Sequence, residues 1–66
     1  MKLIVDTPDY FAALTEDGGA RVGMTGERCL QVPAGHPLHA EITACRTEAD
    51  AEAVFDRAVE AGLIVI

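Results

Sequence analysis

Residues 47–62 carry the strongest structural signal in this sequence, an amphipathic helix with its own start and stop. Thr47 is a typical N-cap, and the acidic residues that follow it favour the positive end of a helix. Five apolar side chains recur at helical spacing and predict a buried stripe: Ala51, Val54, Phe55, Ala58 and Val59. Gly62 then ends the helix as a left-handed terminator. Because a helix with one apolar side needs a second layer to cover it, the rest of the chain is expected to supply that layer.

Short apolar or alternating segments predict strands for the second layer. Residues 2–5 form an apolar run that includes β-branched side chains, and residues 20–23 and 28–32 are separated by a short turn. Residues 38–46 alternate between two faces and predict the clearest strand in the chain. A last, fully apolar strand is expected at residues 63–66.

The segment after the first strand is ambiguous. Residues 7–9 have the sequence Thr-Pro-Asp, which is typical of a helix start, and two glycines follow at positions 18 and 19. We therefore favour a helix over residues 8–17. The alternative is a strand over residues 10–15, followed by a hairpin turn over residues 16–19.

These elements predict a single small α+β domain that spans residues 1–66. The expected order is β-α-β-β-(β)-α-β, a two-layer sandwich with an antiparallel or mixed sheet and two helices on one face. The chain contains 17 Leu, Ile, Val and Phe side chains and no Trp, which is enough for a folded core but only a small one. Such a domain is marginally stable alone, so self-association is a reasonable expectation.

The charge balance argues against direct nucleic-acid binding, and the short apolar segments argue against a membrane span. Eleven acidic residues oppose five basic ones, and the net charge is −6. Direct nucleic-acid binding requires a basic face that displaces counterions from phosphates, and five cations are few for that purpose. A membrane span needs roughly 20 apolar residues, far more than the four at residues 63–66. Asp6 and Asp9 interrupt the N-terminal apolar run, so no signal peptide is evident and a cytoplasmic location is expected.

The negative charge is concentrated in one helical row. The last 20 residues hold five acidic side chains and one basic side chain, a net charge of −4 out of −6. Like charges at i, i+4 spacing destabilise a helix by roughly 0.2–0.5 kcal/mol per pair. Four carboxylates have this spacing, and we call them the acidic row: Glu48, Glu52, Asp56 and Glu60.

Two interpretations of the acidic row remain open. It is either a solvated helix face or a surface that docks onto a protein partner with a basic surface. In the second case, carboxylates about 6 Å apart along the helix imitate the phosphates of a nucleic-acid strand. The second interpretation predicts a non-enzymatic inhibitor or regulator that covers a nucleic-acid-binding surface of its partner. Small phage proteins that block host defence complexes, including anti-CRISPR proteins, often share this size and charge, which is an analogy of class.

A homodimer formed through the sheet is the alternative function, that of a small structural or assembly domain. One side of the strand expected at residues 38–46 is a candidate interface, formed by Leu38, Ala40 and Ile42. The last apolar segment is the other, formed by Leu63, Ile64, Val65 and Ile66.

The sequence also contains four candidate zinc ligands: Cys29, His36, His39 and Cys45. They lack a C-x2-C knuckle, and a strand over residues 38–46 separates His39 from Cys45 by roughly 20 Å. Cys45 precedes the helix start and lies beside Arg46, so it is the candidate for an activated thiol. A thiol or metal site at Cys29 and Cys45 is the third interpretation. We expect reduced thiols, no metal, no cofactor and no catalytic residue.

The sequence A-D-A-E-A-V-F-D-R-A-V-E-A-G at residues 49–62 resembles a helix of the glyoxalase/bleomycin-resistance family. That helix commonly follows the pattern D-A-x-x-x-F-x-R-A-x-x-A-G. The match covers under a quarter of the chain. The metal-ligating His and Glu of the family have no matching context here, so the resemblance implies no functional residue.

Overall fold

The computed structural model describes residues 1–63, which form four strands followed by two helices. The elements are β1 (Lys2–Asp6), β2 (Tyr10–Leu14), β3 (Ala20–Met24), β4 (Cys29–Val32), α1 (Pro37–Thr43) and α2 (Glu48–Glu60). Sequential strands pair antiparallel in the order β1-β2-β3-β4, and both helices pack on the same face of the sheet. The expected class, a small α+β sandwich with two helices on one face, is confirmed.

The prediction of a helix over residues 8–17 is wrong. This segment forms β2 and part of a hairpin turn, as the alternative predicted. Asp17 organises that turn, since its carboxylate accepts hydrogen bonds from the Thr15 hydroxyl and from a backbone amide 3.1 Å away. Gly18 has a φ of 89°, which glycine adopts without strain. Thr7 accepts a hydrogen bond from the Tyr10 amide at 3.0 Å and so closes a turn instead of capping a helix. Pairing of β2 with strands on both sides outweighs the local helix-start signal.

The prediction of a strand over residues 38–46 is also wrong, because most of this segment belongs to helix α1. The ring of His36 caps the helix by accepting a hydrogen bond at Nδ1, 3.1 Å from a backbone amide. Pro37 occupies the first turn, where its missing N–H leaves no bond unmade. The alternating pattern requires burial of Ala40 and Ala44, but both are exposed. The buried side chains instead follow helical spacing: Leu38, Ile42 and Cys45.

Helix α2 begins and ends where the sequence predicts. Thr47 and Asp50 form a capping box, with the Thr47 amide 3.2 Å from the Asp50 carboxylate. The Arg46 amide donates to the same carboxylate, and its bond together with that of Thr47 holds the pKa of Asp50 below its ordinary value. At the other end, Gly62 has a φ of 74°, and its amide and that of Leu63 donate back to the helix in a Schellman motif.

The core lies between the inner face of the sheet and the two helices. Six sheet side chains contribute: Val5, Ala12, Ala20, Val22, Leu30 and Val32. Helix α2 contributes only a narrow stripe of Ala51, Val54 and Ala58, and these small side chains let it lie close to all four strands. Phe55 and Val59 were expected in this buried stripe. The structure corrects this, because Phe55 is half-buried and Val59 is 53% exposed.

The strand expected at residues 63–66 falls almost entirely beyond the described part of the chain. Leu63 is not in a strand, and it packs partly against the core. Ile64, Val65 and Ile66 lie outside the described residues.

Replacing Ile42 by Ala should lower the free energy of unfolding by about 2–5 kcal/mol, because this side chain has no exposed surface. Replacing Ala40 by Ser should change it by less than about 0.5 kcal/mol, since Ala40 faces solvent on α1. Urea denaturation of both variants measures the difference. Comparable losses at the two positions would contradict a helix here, because a strand places both side chains on one buried face.

Candidate protein-binding surface

The acidic row follows the flank of α2 that lies away from α1. The helix turns by 100° per residue, so carboxylates four residues apart step gradually round its surface. Glu48, at the start of the row, is half-buried. The other three carboxylates are exposed: Glu52, Asp56 and Glu60.

Glu48 connects the row to the sheet. The hydroxyl of Thr7, in the loop between β1 and β2, donates a hydrogen bond to Oε1 of Glu48 at 2.6 Å. A hydrogen bond to an ionised carboxylate is stronger than one between neutral groups. Glu48 therefore fixes the first turn of α2 against this loop and is only partly available to a partner.

Glu52, Asp56 and Glu60 have no partner inside the described chain. None of the three makes a hydrogen bond or an ion pair with another residue of 1–63. The single cation of α2, Arg57, projects toward α1 and forms an ion pair with Glu41 there. The flank facing α1 thus carries the cation of α2, whereas the opposite flank carries the acidic row without a cation from the helix.

Tyr10 lies close enough to the acidic row for its pKa to respond to the negative charge. Its ring packs edge-to-face on Phe55, with centroids 6.1 Å apart and planes at 63°. The pKa of Tyr10 is raised above its ordinary value of 10.0. The largest cause is burial of the ring, and the charges that add to it belong to Glu52, Asp56, Glu48 and Asp9. The negative surface therefore continues from α2 onto the loop that precedes β2.

An open groove lies beside the row, between α2 and the turn that joins β3 to β4. Its volume is about 690 Å³. The turn is tight, because the Glu27 amide donates to the Met24 carbonyl at 3.0 Å and Gly26 has a φ of 79°. We call this site the α2 groove, and its lining combines apolar with charged side chains: Met24, Phe55, Val59, Glu27, Arg28, Asp56 and Glu60.

Sequence reasoning missed the α2 groove because it assigned Phe55 and Val59 to the buried stripe. Only three large apolar side chains in the described chain are more than half exposed, and Val59 is one of them. The sequence position of Val59 already indicated that this side chain lies on the acidic side of α2. It follows Asp56 by three residues and precedes Glu60 by one, which places it on the side of α2 that bears the row.

The four candidate zinc ligands are not assembled. His36 caps α1, and Nε2 of His39 lies 3.0 Å from a carbonyl oxygen of the β2–β3 turn. Cys29 is on β4, whereas Cys45 follows α1 in the helical layer, and the two do not form a disulfide. No three Cys, His, Asp or Glu side chains of residues 1–63 come together as metal ligands.

The environment of Cys45 opposes thiolate formation. The side chain is buried, and its thiol donates to a carbonyl oxygen of α1 at 3.3 Å. Burial raises the pKa of Cys45, and the negative charge of Asp50 raises it further. Reactive cysteines have lowered pKa values, so this thiol is not activated in the way considered for its position ahead of α2.

Among the described residues proposed for a homodimer, Leu38, Ala40 and Ile42 do not form an exposed sheet face, because they lie on α1. Leu38 and Ile42 are buried in α1, and Ala40 is exposed on the same helix. Leu63 is half-buried, while Ile64, Val65 and Ile66 lie outside the described residues. The described sheet has a second face that neither helix covers, where Leu3 is exposed, Phe11 is half-buried and Ala13 is fully buried.

The chain matches no protein-family model, no curated protein and no solved structure. The likeness of residues 49–62 to the glyoxalase helix therefore rests on those residues alone. Among residues 1–63, no helix has both the length and the apolar character needed to cross a bilayer.

Neutralising two members of the row with the double variant Glu52→Gln/Asp56→Asn should lower the pKa of Tyr10. Both charges oppose formation of the phenolate, and the variant removes them. The chain has one Tyr and no Trp, so the phenolate absorbance in an alkaline titration reports Tyr10 alone. The control Asp6→Asn/Glu16→Gln removes two exposed charges outside the row and should leave the pKa nearer to that of the parent chain. Equal shifts in the two variants would contradict the proximity of the row to Tyr10.

Proposed function

We propose that this chain is a small, non-enzymatic inhibitor or regulator that docks its acidic row onto a basic, nucleic-acid-binding surface of a protein partner. The observation that carries the proposal is that Glu52, Asp56 and Glu60 are exposed and form no ion pair with any residue of 1–63. Such an inhibitor would be anti-CRISPR-like or would resemble another nucleic-acid mimic, because its carboxylates would occupy the partner's binding site for phosphates.

The row is held on a preorganised helix. A capping box fixes the start of α2, a Schellman motif fixes its end, and Thr7 fastens the first turn to the β1–β2 loop. The buried stripe holds the length of the helix against the sheet. Binding by a rigid surface loses less conformational entropy than binding by a flexible segment, so this arrangement suits a docking role.

A face that served solubility alone would not need this charge pattern. Alternating Glu with Lys or Arg at i, i+4 would keep the surface polar and would also stabilise the helix. Helix α2 instead repeats acidic residues along one flank, and its single cation, Arg57, pairs with Glu41 on α1. A partner surface that supplies the missing cations accounts for the pattern.

The partner chemistry follows from the charge. Carboxylates about 6 Å apart along a helix present regularly spaced negative charge, as a nucleic-acid strand does. A groove of Lys and Arg built to hold phosphates would attract this surface at long range and accelerate association. Because exposed charges are screened within about 8 Å at physiological ionic strength, such binding weakens as salt is added.

Reversing two charges with Glu52→Lys/Asp56→Lys should weaken binding to the partner by roughly tenfold or more, because attraction becomes repulsion in the middle of the row. The full chain is immobilised, a native host lysate is passed over it at low salt, and the captured protein is identified. Its affinity for each variant is then measured. The control Asp6→Lys/Glu16→Lys changes the net charge equally at exposed positions outside the row and should bind the captured protein as the parent chain does.

Competition identifies the partner surface in the same experiment. A single-stranded or duplex oligonucleotide added to the complex should release the captured protein, because both ligands need the same cations. The proposed function would be contradicted if Glu52→Lys/Asp56→Lys bound the captured protein as tightly as the parent chain does. It would also be contradicted if neither nucleic acid nor salt weakened the complex.

A further inference from the structure

We propose that the α2 groove receives an arginine side chain of the partner, whose guanidinium pairs with the carboxylates at the groove while its aliphatic stem packs on the apolar side chains below. This inference rests on the proposed function and adds the kind of residue that anchors the partner. The acidic row alone calls only for positive charge, whereas the groove distinguishes one cation from another.

The apolar part of the groove provides the first argument. Met24 at the end of β3 and Phe55 on α2 are half-buried, and Val59 is 53% exposed. These three side chains form apolar surface on the acidic side of a small domain, where a solvated face would place polar residues. The methylene groups of a long cationic side chain cover apolar surface of this kind while the charged end reaches the rim.

Charge complementarity provides the second argument. Glu27 approaches from the β3–β4 turn, and Asp56 and Glu60 approach from α2, so carboxylates flank the groove from two elements. Arg28 is the only cation among the lining residues, and the groove keeps a net charge of −2. A second copy of this chain is a poor occupant, because each copy carries a net charge of −6.

The shape of the cation decides between arginine and lysine. A guanidinium is planar and weakly hydrated, packs on aromatic rings and donates to two carboxylate oxygens at once. The Phe55 ring lies at the groove, with Tyr10 edge-to-face behind it. A lysine stem can cover the same apolar surface, but its compact and strongly hydrated ammonium gains less from the Phe55 ring than a guanidinium does.

Octa-arginine and octa-lysine peptides, which carry equal charge, serve as the probes for the full-length chain at an ionic strength of about 0.01 M. Isothermal titration calorimetry measures both affinities, and amide NMR shifts locate the contact. Octa-arginine should bind at least about threefold more tightly, as expected for one additional cation–aromatic contact near an exposed surface. Its largest shifts should fall on Met24, Phe55 and Val59.

Two variants test the position. Phe55→Leu keeps an apolar side chain but removes the aromatic ring of the groove, so it should abolish the preference for arginine while leaving octa-lysine binding unchanged. Phe11→Leu is the matched control, because Phe11 is also half-buried but lies on the outer face of the sheet, and it should leave the preference intact.

The outcomes separate this inference from the proposed function. If neither peptide binds, both the acidic-row function and the groove inference fail. If the parent chain binds the two peptides equally, or Phe55→Leu keeps the preference, the groove inference is overturned while the row remains a docking surface. If light scattering shows a dimer that Val59→Ser converts to a monomer, a second copy occupies the groove and the inference is likewise overturned.

Discussion

Small side chains set the separation between α2 and the sheet, and the candidate binding surface depends on that separation. Ala51 and Ala58 have no exposed surface and Val54 has 3%, so the helix makes a close contact along a narrow stripe. A narrow stripe leaves most of the helix circumference outside the core. Phe55 and Val59 therefore emerge at the edge of the contact, beside Asp56 and Glu60, where the β3–β4 turn completes a groove.

The two flanks of α2 differ in electrostatics because of one ion pair. Arg57 turns toward α1 and pairs with Glu41, so the only cation of the helix is removed from the acidic side. On that side Thr7 partly satisfies Glu48, and three carboxylates remain exposed. At the start of β2, the pKa of Tyr10 is raised first by burial and then by the charges of Glu52, Asp56, Glu48 and Asp9. The net charge of −6 thus becomes a directed surface instead of a general property of the chain.

Sequence reasoning succeeded where the determinants are local. Helix α2 carries its cap at Thr47 and its terminator at Gly62, and neither depends on distant residues. The segment that forms α1 was misassigned because Leu38 and Ile42, four residues apart, fit both an alternating strand and a helix. The β2 segment was misassigned because its pairing with β1 and β3 outweighs the helix-start signal before it.

The candidate site was predictable only in part, for a related reason. The spacing of the acidic row follows from the sequence once α2 is recognised. The α2 groove does not, because it requires the β3–β4 turn to be placed against the helix, and that placement depends on the order of the strands. Exposure of Val59 depends in turn on how closely the small residues of the stripe approach the sheet.

The central claim is that the row remains uncompensated within the fold and is therefore available to a partner. The most direct test is the free energy of unfolding of Glu52→Gln/Asp56→Asn/Glu60→Gln, measured by urea denaturation at ionic strengths of about 0.01 M and about 0.15 M. Removing the i, i+4 repulsions should stabilise the protein by about 0.5–1.5 kcal/mol at the lower ionic strength, and by less at the higher one. Unchanged or reduced stability at low ionic strength would mean that the fold already compensates these carboxylates, and would contradict the account.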